Sequence, residues 1–184
     1  MHYKIRRAEI EDAADLAALH VRVWRQTYLG VLPAPLVDNV TLGRELRFWR
    51  AAIRRQDVDL DDIILIAESD VGDMVGFGVA GKARDERGPW DGEITMIYVE
   101  RAHQRHGIGK ALMRAMADHL LSRALFSAGL WVVERNQRAR RFYESLSGRP
   151  SGTRDERMQG FLVPVSAYAW EEAAELAGRT VVRH

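Results

Sequence analysis

A mixed α/β sheet with helices on both faces is the fold class this sequence predicts. Three observations carry it. The stretch from 93 to 146 reads strand, loop, helix, strand, helix, a βαβα unit. Two β-rich runs before it, Ile63 to Glu68 and Met74 to Ala83, are joined by the hairpin-like turn Ser69-Asp70-Val71-Gly72-Asp73. Two amphipathic helices precede those strands, so helices are available to cover both faces.

Residues 3–8 alternate and read as an edge strand. Ile10 to Trp24 carries Ile10, Leu16, Leu19, Val23 and Trp24 near helical spacing, and Glu11 or Asp12 suits its first turn. Gly30, Pro33 and Pro35 then break the chain. Leu42 to Arg54 predicts a second helix with Leu46, Trp49 and Ile53 on one face. The polar segment 84–92, with Gly88-Pro89, reads as a loop, and Glu93 to Val99 as a strand. Ile108 to Leu121 spaces Ile108, Leu112, Met116 and Leu120 four apart, a helix. Ala128 to Val133 is a strand. Asn136 to Leu146 is a short helix with Ala139, Phe142, Tyr143 and Leu146 on one side. The polar run 151–160 reads as a mobile loop, and Phe161 to Trp170 as the strand that closes the sheet. No internal repeat or linker is evident, so 1–184 is expected to be one domain, with a core of about 3–170 and a tail from 171.

The 184 residues are enough for a real core. A net charge of +1 gives no global field for nucleic acid or membrane, which makes the local basic cluster Arg101 to Lys110 more telling than the total. The absence of cysteine excludes disulfides, thiolate metal sites and a cysteine nucleophile, and fits a cytoplasmic protein. No apolar run spans a bilayer and the first residues lack a signal-peptide stretch. No histidine pair has metal-ligand spacing, so no metal is expected.

Three glycine patterns compete for a phosphate. Gly76-x-Gly78-x-x-Gly81 matches a dinucleotide fingerprint, and Gly76 to Lys82 nearly matches a P-loop with Ala83 in place of the magnesium-binding hydroxyl. Both need a helix next, and the polar run 82–89 has no apolar period. The reading that remains is a strand whose small residues admit a close neighbour. Gln104-Arg105-His106-Gly107-Ile108-Gly109-Lys110 does lie between a strand and a helix. Its glycines clear the way to backbone N–H groups at a helix N-terminus, and Arg105, His106 and Lys110 add cations, which suits a pyrophosphate.

The pattern Gln104-x-x-Gly107-x-Gly109 resembles the acetyl-CoA loop of the GNAT superfamily of N-acetyltransferases. The flanks Glu93 to Val99 and Gly109-Lys110-Ala111-Leu112-Met113 resemble that family too. So do Asn136-x-x-Ala139-x-x-Phe142-Tyr143-Glu144, the opening Ile5-Arg6-x-Ala8 with Asp12, and Trp24-Arg25-x-x-Tyr28-x-Gly30-x-Leu32-Pro33. The resemblance covers about residues 3–170. It implies a mostly antiparallel GNAT-like sheet with a splayed strand pair holding acetyl-CoA. It also implies acetyl transfer to a primary amine, on a small molecule or a protein, by direct attack in a ternary complex. Family members often form homodimers. A non-catalytic acyl-CoA sensor is the rival reading, and the basic run Gln137 to Arg141 reads as a solvated helix face rather than a nucleic-acid site.

Carried onto this chain, the resemblance places the pyrophosphate on Gln104, Arg105, His106, Gly107, Ile108, Gly109 and Lys110. Ile97, Tyr98 and Val99 would pair with the pantetheine arm like an added strand, and Asn136 would contact it from the other side. Tyr143 matches the family's acid position, with a helix-face core role as its alternative. Glu93 is the preferred base, facing the same side as Thr95, Ile97 and Val99 by alternation. A water chain, or a solvent-facing carboxylate paired with Arg87, is its alternative. Glu68 and Asp70 are weaker candidates. Trp24 and Tyr28, with Phe48 and Trp49 as further candidates, would form the acceptor pocket, while His20 and His103 read as satisfied or solvated. The sequence departs from the family after Tyr143, where Gly148 comes one place late and the expected phenylalanine is missing.

Overall fold

The computed structural model describes residues 2–83 and 88–179. Arg87, the first part of the 84–92 loop and the end of the tail lie outside the described residues. A sheet of seven strands forms the centre, β1 (Tyr3–Arg7), β2 (Ile63–Ser69), β3 (Met74–Lys82), β4 (Gly92–Val99), β5 (Ala128–Val133), β6 (Arg149–Met158) and β7 (Phe161–Trp170). Their order across the sheet is β1-β2-β3-β4-β5-β7-β6. Every neighbouring pair is antiparallel except β4 with β5, which is parallel.

Helices α1 (Ala13–Tyr28) and α3 (Leu42–Gln56) cover one face. Leu16, Leu19 and Val23 from α1 and Trp49 and Ile53 from α3 bury against Ile64, Ile66 and Phe77 of the sheet. The start of α1 is fixed electrostatically. Arg6 pairs with Asp12 at 2.7 Å and with Glu68 at 2.8 Å, and Asp12 also accepts the Glu9 N–H. A short helix not foreseen from the sequence, α2 (Ala34–Asp38), opens with Pro33-Ala34-Pro35, prolines that fit a first turn.

On the other face, α4 (Ile108–Ser122) buries Leu112, Met113, Met116 and Leu120 against Leu65, Val75 and Ile94. Helices α5 (Gln137–Ser145) and α6 (Ala173–Ala177) flank it. The β3 glycines serve this packing. A Cβ on Gly78 would lie 2.8 Å from Met116 Sδ, so glycine here lets the Met116 side chain lie directly on the strand. The departure after Tyr143 resolves locally as well. Ser147 takes the left-handed conformation at φ 64° that ends α5, and Gly148 is pressed against Trp170 and the Tyr143 carbonyl.

The polar run 151–160 is not a loop. Most of it is β6, paired along β7 and turned through Gln159 and Gly160, both at positive φ as a tight hairpin requires. Its polarity reflects an edge position, since β6 ends the sheet and β7 lies inside it. Trp90, in the segment read as a loop, is buried, with its indole against Gly129 and Gly88.

Candidate active site

Strand β4 pairs with β3 at seven positions, Gly76↔Val99 through Lys82↔Gly92. With β5 it pairs at only two, Gly92↔Ala128 and Glu93↔Gly129, after which the strands part. The far edge of β5 is taken up by β7 from Ala128↔Trp170 to Val133↔Val165. Beyond Glu93 the facing edges of β4 and β5 therefore enclose a wedge whose backbone N–H and C=O groups lack strand partners among the described residues. This is the splayed pair expected from the sequence.

A bulge in β4 changes which side chains face where. Val79 pairs with Met96 and Ala80 with Ile94, so Thr95 has no opposite residue. Ile94, Ile97 and Val99 consequently pack together on the α4 side, while Met96 and Tyr98 pack on the α1–α3 side. Glu93 alternates with Ile94 and lies on the side of Met96 and Tyr98. The expectation that Glu93, Thr95, Ile97 and Val99 share one face fails, because strict alternation takes no account of an inserted residue. Its in-register partner across the strand, Gly129, shares the β5 face that carries Trp131 and Val133.

The turn into α4 closes one end of the wedge. Gln104 Nε2 donates to the Val99 carbonyl at 2.7 Å, tying the turn to the strand end, while its Oε1 is buried with no hydrogen-bond partner. Arg105 and Gly107 sit in the left-handed region at φ 69° and 85°. The first helical bond runs from Ala111 N–H to Gly107 O. The N–H groups of Ile108, Gly109 and Lys110 thus stand at the positive end of a fifteen-residue helix. Arg105, His106 and Lys110 are exposed, and Ile108 is buried in the core. Gly109 has a second duty, since a Cβ there would approach Phe142 Cζ to 3.1 Å.

Residues 27–148 match the acetyltransferase (GNAT) family. The chain is 30% identical over 132 residues to the uncharacterized N-acetyltransferase YuaI of Bacillus subtilis, covering 72% of each chain. It is 34% identical to an uncharacterized N-acetyltransferase of Archaeoglobus fulgidus, covering 77% of this chain and 90% of that one. The fold matches that of PaiA N-acetyltransferase from Thermoplasma acidophilum, solved in complex with coenzyme A. There the TM-score is 0.70 and the identity 21%, covering 90% of this chain and 98% of that one. This chain belongs to the GNAT family of N-acetyltransferases.

In this acetyltransferase three phenols converge where the wedge opens. Tyr28, at the end of α1, is 8% exposed, and the Tyr98 hydroxyl points at its oxygen across a long 3.5 Å contact. Asn136 caps α5 by accepting the Ala139 N–H at 3.1 Å through Oδ1. Burial raises the Tyr28 pKa, and the donors Tyr98 and Asn136 pull it back. Tyr143, packed against Tyr168 and Trp170, is raised by burial and by the nearness of Tyr28. Tyr98 is pushed well above its ordinary value, mainly by burial.

Trp24 leans on Tyr28 with ring centroids 4.4 Å apart, so those two expected pocket residues do come together. Trp49 does not join them. It is fully buried in the core between α1, α3 and β3, against His20 and Phe77, and Phe48 beside it is partly exposed. Glu68 is held by Arg6 in the β1–β2 corner. His20 is buried, with Nδ1 2.8 Å from Glu45 Oε2 but off the line of a hydrogen bond. Burial lowers its pKa against the pull of Glu45. Sequence reasoning missed Trp131 on β5, whose ring lies under the Arg154 guanidinium, 4.0 Å from its centroid. Alternation along β5 marks Trp131 with Gly129 and Val133, but the polar run hid Arg154.

Proposed function

We propose that this acetyltransferase moves an acetyl group from acetyl-CoA to a primary amine by direct attack within a ternary complex. The observation that carries the reading is the wedge itself, a strand edge left unpaired beside a glycine turn and a helix N-terminus. A pantetheine arm needs backbone partners and a pyrophosphate needs N–H donors, and both meet at the Gln104–Val99 contact. In this reading Gln104 to Lys110 hold the pyrophosphate through backbone N–H groups. Ile97, Tyr98 and Val99 pair with the arm, and Asn136 flanks it. When bound, acetyl-CoA supplies an activated thioester carbonyl.

The acceptor amine arrives as an ammonium, with an ordinary pKa near ~10.4, and must lose a proton before attack. Glu93 is the proposed base, directly or through water. Its position at the crotch of the wedge, on the side of Met96 and Tyr98, supports the role better than strict alternation did. Tyr143 is the proposed acid. Its buried phenol stays protonated at neutral pH and can donate to a departing sulfur. Trp24 and Tyr28 offer ring faces to the amine. A small amine is the favoured acceptor.

Isothermal titration with acetyl-CoA, beside CoA, NAD and ATP, tests the donor. Selective binding of acetyl-CoA and CoA is expected, with at least ~100-fold weaker binding in Gly107→Glu, whose side chain puts negative charge at the anion site. Binding of NAD or ATP instead would overturn the reading. A screen of primary amines by thiol release then identifies the acceptor.

A further inference from the structure

Glu93 has glycine as its register partner on both neighbouring strands, Gly81 on β3 and Gly129 on β5. Neither flank is open. The two places that side chains would take beside Glu93 are filled from elsewhere in the chain, and cofactor binding does not account for that filling. We propose that Trp90 and Asp62 are positioning residues for Glu93, the indole bounding its carboxylate on the β5 side and the Asp62 carboxylate turning it away from β3. The inference rests on the reading of Glu93 as the base.

The row can be traced across the sheet. Gly92 faces α4, since a Cβ there would lie 2.8 Å from Leu120, and Ile94 packs on the same side. Glu93, between them, faces the α1–α3 layer. Gly81 shares the face of Phe77 and Val79, which pack in that layer, whereas Ala80 packs toward α4. A Cβ on Gly81 would overlap Asp62 Oδ1, and a Cβ on Gly129 would overlap the fused bond of the Trp90 indole. Adjacent strands run about 4.8 Å apart, so an atom standing in either glycine's Cβ place is one strand spacing from Glu93.

Both fillers are held. Arg55 Nε donates to Asp62 Oδ2 at 2.8 Å, and Oδ1 is the oxygen that lies over Gly81. The Trp90 indole is 6% exposed, gripped between Gly88 and Gly129, and meets the Trp131 ring at 6.0 Å between centroids. The next residue anchors it. Asp91 N–H donates to Ser127 Oγ at 2.8 Å, and Asp91 Oδ2 accepts from Ser127 Oγ at 3.0 Å. The same carboxylate accepts the Phe126 and Ser127 N–H groups at 3.2 Å, and Gly92 N–H donates to Ser127 O at 3.0 Å. This clasp ties the entry of β4 to the entry of β5, immediately before the positions where the two strands pair. The indole is thereby fixed at the apex of the wedge.

The consequence is a restricted arc for one side chain. A glutamate has several rotatable bonds, and ordering it costs conformational entropy. The flat indole closes the β5 flank with an apolar wall, and the Asp62 charge repels a like charge on the β3 flank. The arc that remains opens along the wedge, where the acceptor nitrogen must give up its proton. Holding a base in that arc before the amine arrives raises the rate of transfer without tightening the hold on acetyl-CoA.

Steady-state kinetics on the intact protein test this, with acetyl-CoA and the small primary amine that releases thiol fastest. Trp90→Leu keeps apolar bulk but loses the flat wall, and is expected to lower kcat about tenfold with the acetyl-CoA KM within about twofold. Trp90→Phe keeps a ring over Gly129 and is expected to recover most of that rate. Asp62→Asn removes the repelling charge and is expected to lower kcat about threefold. A double-mutant cycle separates positioning from packing. In a Glu93→Gln background both substitutions are expected to cost no further kcat, because no base is left to place. Thermal melting shows that each variant is folded, and where Trp90→Leu is not, the cycle with Asp62→Asn decides. Losses of the same size with and without Glu93 overturn the inference, as does an unchanged kcat in Trp90→Leu and Asp62→Asn. An unchanged kcat in Glu93→Gln alone overturns the reading of Glu93 as the base, and the inference with it. No thiol release with any amine overturns the acetyl-transfer reading beneath both.

Discussion

The two edges of β4 make opposite uses of the same strand. On the β3 side, seven paired positions and one bulge give a closed ladder, with Phe77, Trp49 and Ile66 packed behind it. On the β5 side, two pairs are made and the rest are withheld. The closed edge satisfies its own hydrogen bonds. The open edge leaves polar backbone facing inward, an arrangement that is stable only when water or a ligand supplies the missing partners. The β3 side of the strand is therefore closed and the β5 side open to a ligand, with the Thr95 bulge setting which side chains face which helical layer.

Two tryptophans in the same helical layer put numbers on that contrast. Trp49→Ala empties a fully buried position in the closed half and is expected to cost about 3–5 kcal/mol in urea unfolding. Trp24→Ala, at the half-buried pocket wall beside Tyr28, is expected to cost about 1–2 kcal/mol while raising the acceptor KM several-fold. Equal losses of stability would mean that the pocket wall is ordinary core, and the distinction between the halves would collapse.

Gly129 lies where the halves meet, and a substitution there sharpens the comparison at a single atom. A Cβ at this position would fall 2.0 Å from the Trp90 ring, too close to accommodate without moving the indole. Gly129→Ala is expected to destabilise by about 1–3 kcal/mol through overpacking. Because Gly129 is also the register partner of Glu93, turnover should fall more than stability alone predicts. A loss of stability with unchanged kcat would show that the crotch geometry does not position Glu93.

How much of this could be read in the sequence follows the same division. Helical and strand periods located α1, α3, α4, α5 and the first five strands to within a few residues, because amphipathic burial dictates those patterns. The Gln104–Lys110 turn stood out because strand, glycines and helix come together there. What escaped was set by tertiary pairing. The β6 edge strand carries almost no apolar residue, and its partner β7 alone makes it a strand. The bulge at Thr95 leaves no local mark and reverses the facing assigned to Glu93. The Tyr28–Tyr98–Asn136 cluster joins residues far apart in the chain, so no window of sequence contains it.

Acid sensitivity should differ between the halves as well, by the smallest margin of the effects considered. Near the pocket, His20 is held neutral by burial, with a folded pKa below the ordinary value. The unfolded chain then takes up the proton first, so His20 contributes stability above about pH 6.5 that is lost as pH falls below it. In the β1–β2 corner the Arg6 hydrogen bonds depress both Asp12 and Glu68. Their contribution is present above the ordinary carboxylate range and is lost only as pH falls through it. Solvent screening keeps it modest, since Arg6 and Glu68 are each about a quarter exposed. Urea unfolding across pH should therefore show two separate declines. His20→Gln is expected to flatten the upper one and leave the lower, and Arg6→Met the reverse. A single decline, in the carboxylate range and unchanged by His20→Gln, would mean that burial does not lower the His20 pKa below that of the unfolded chain.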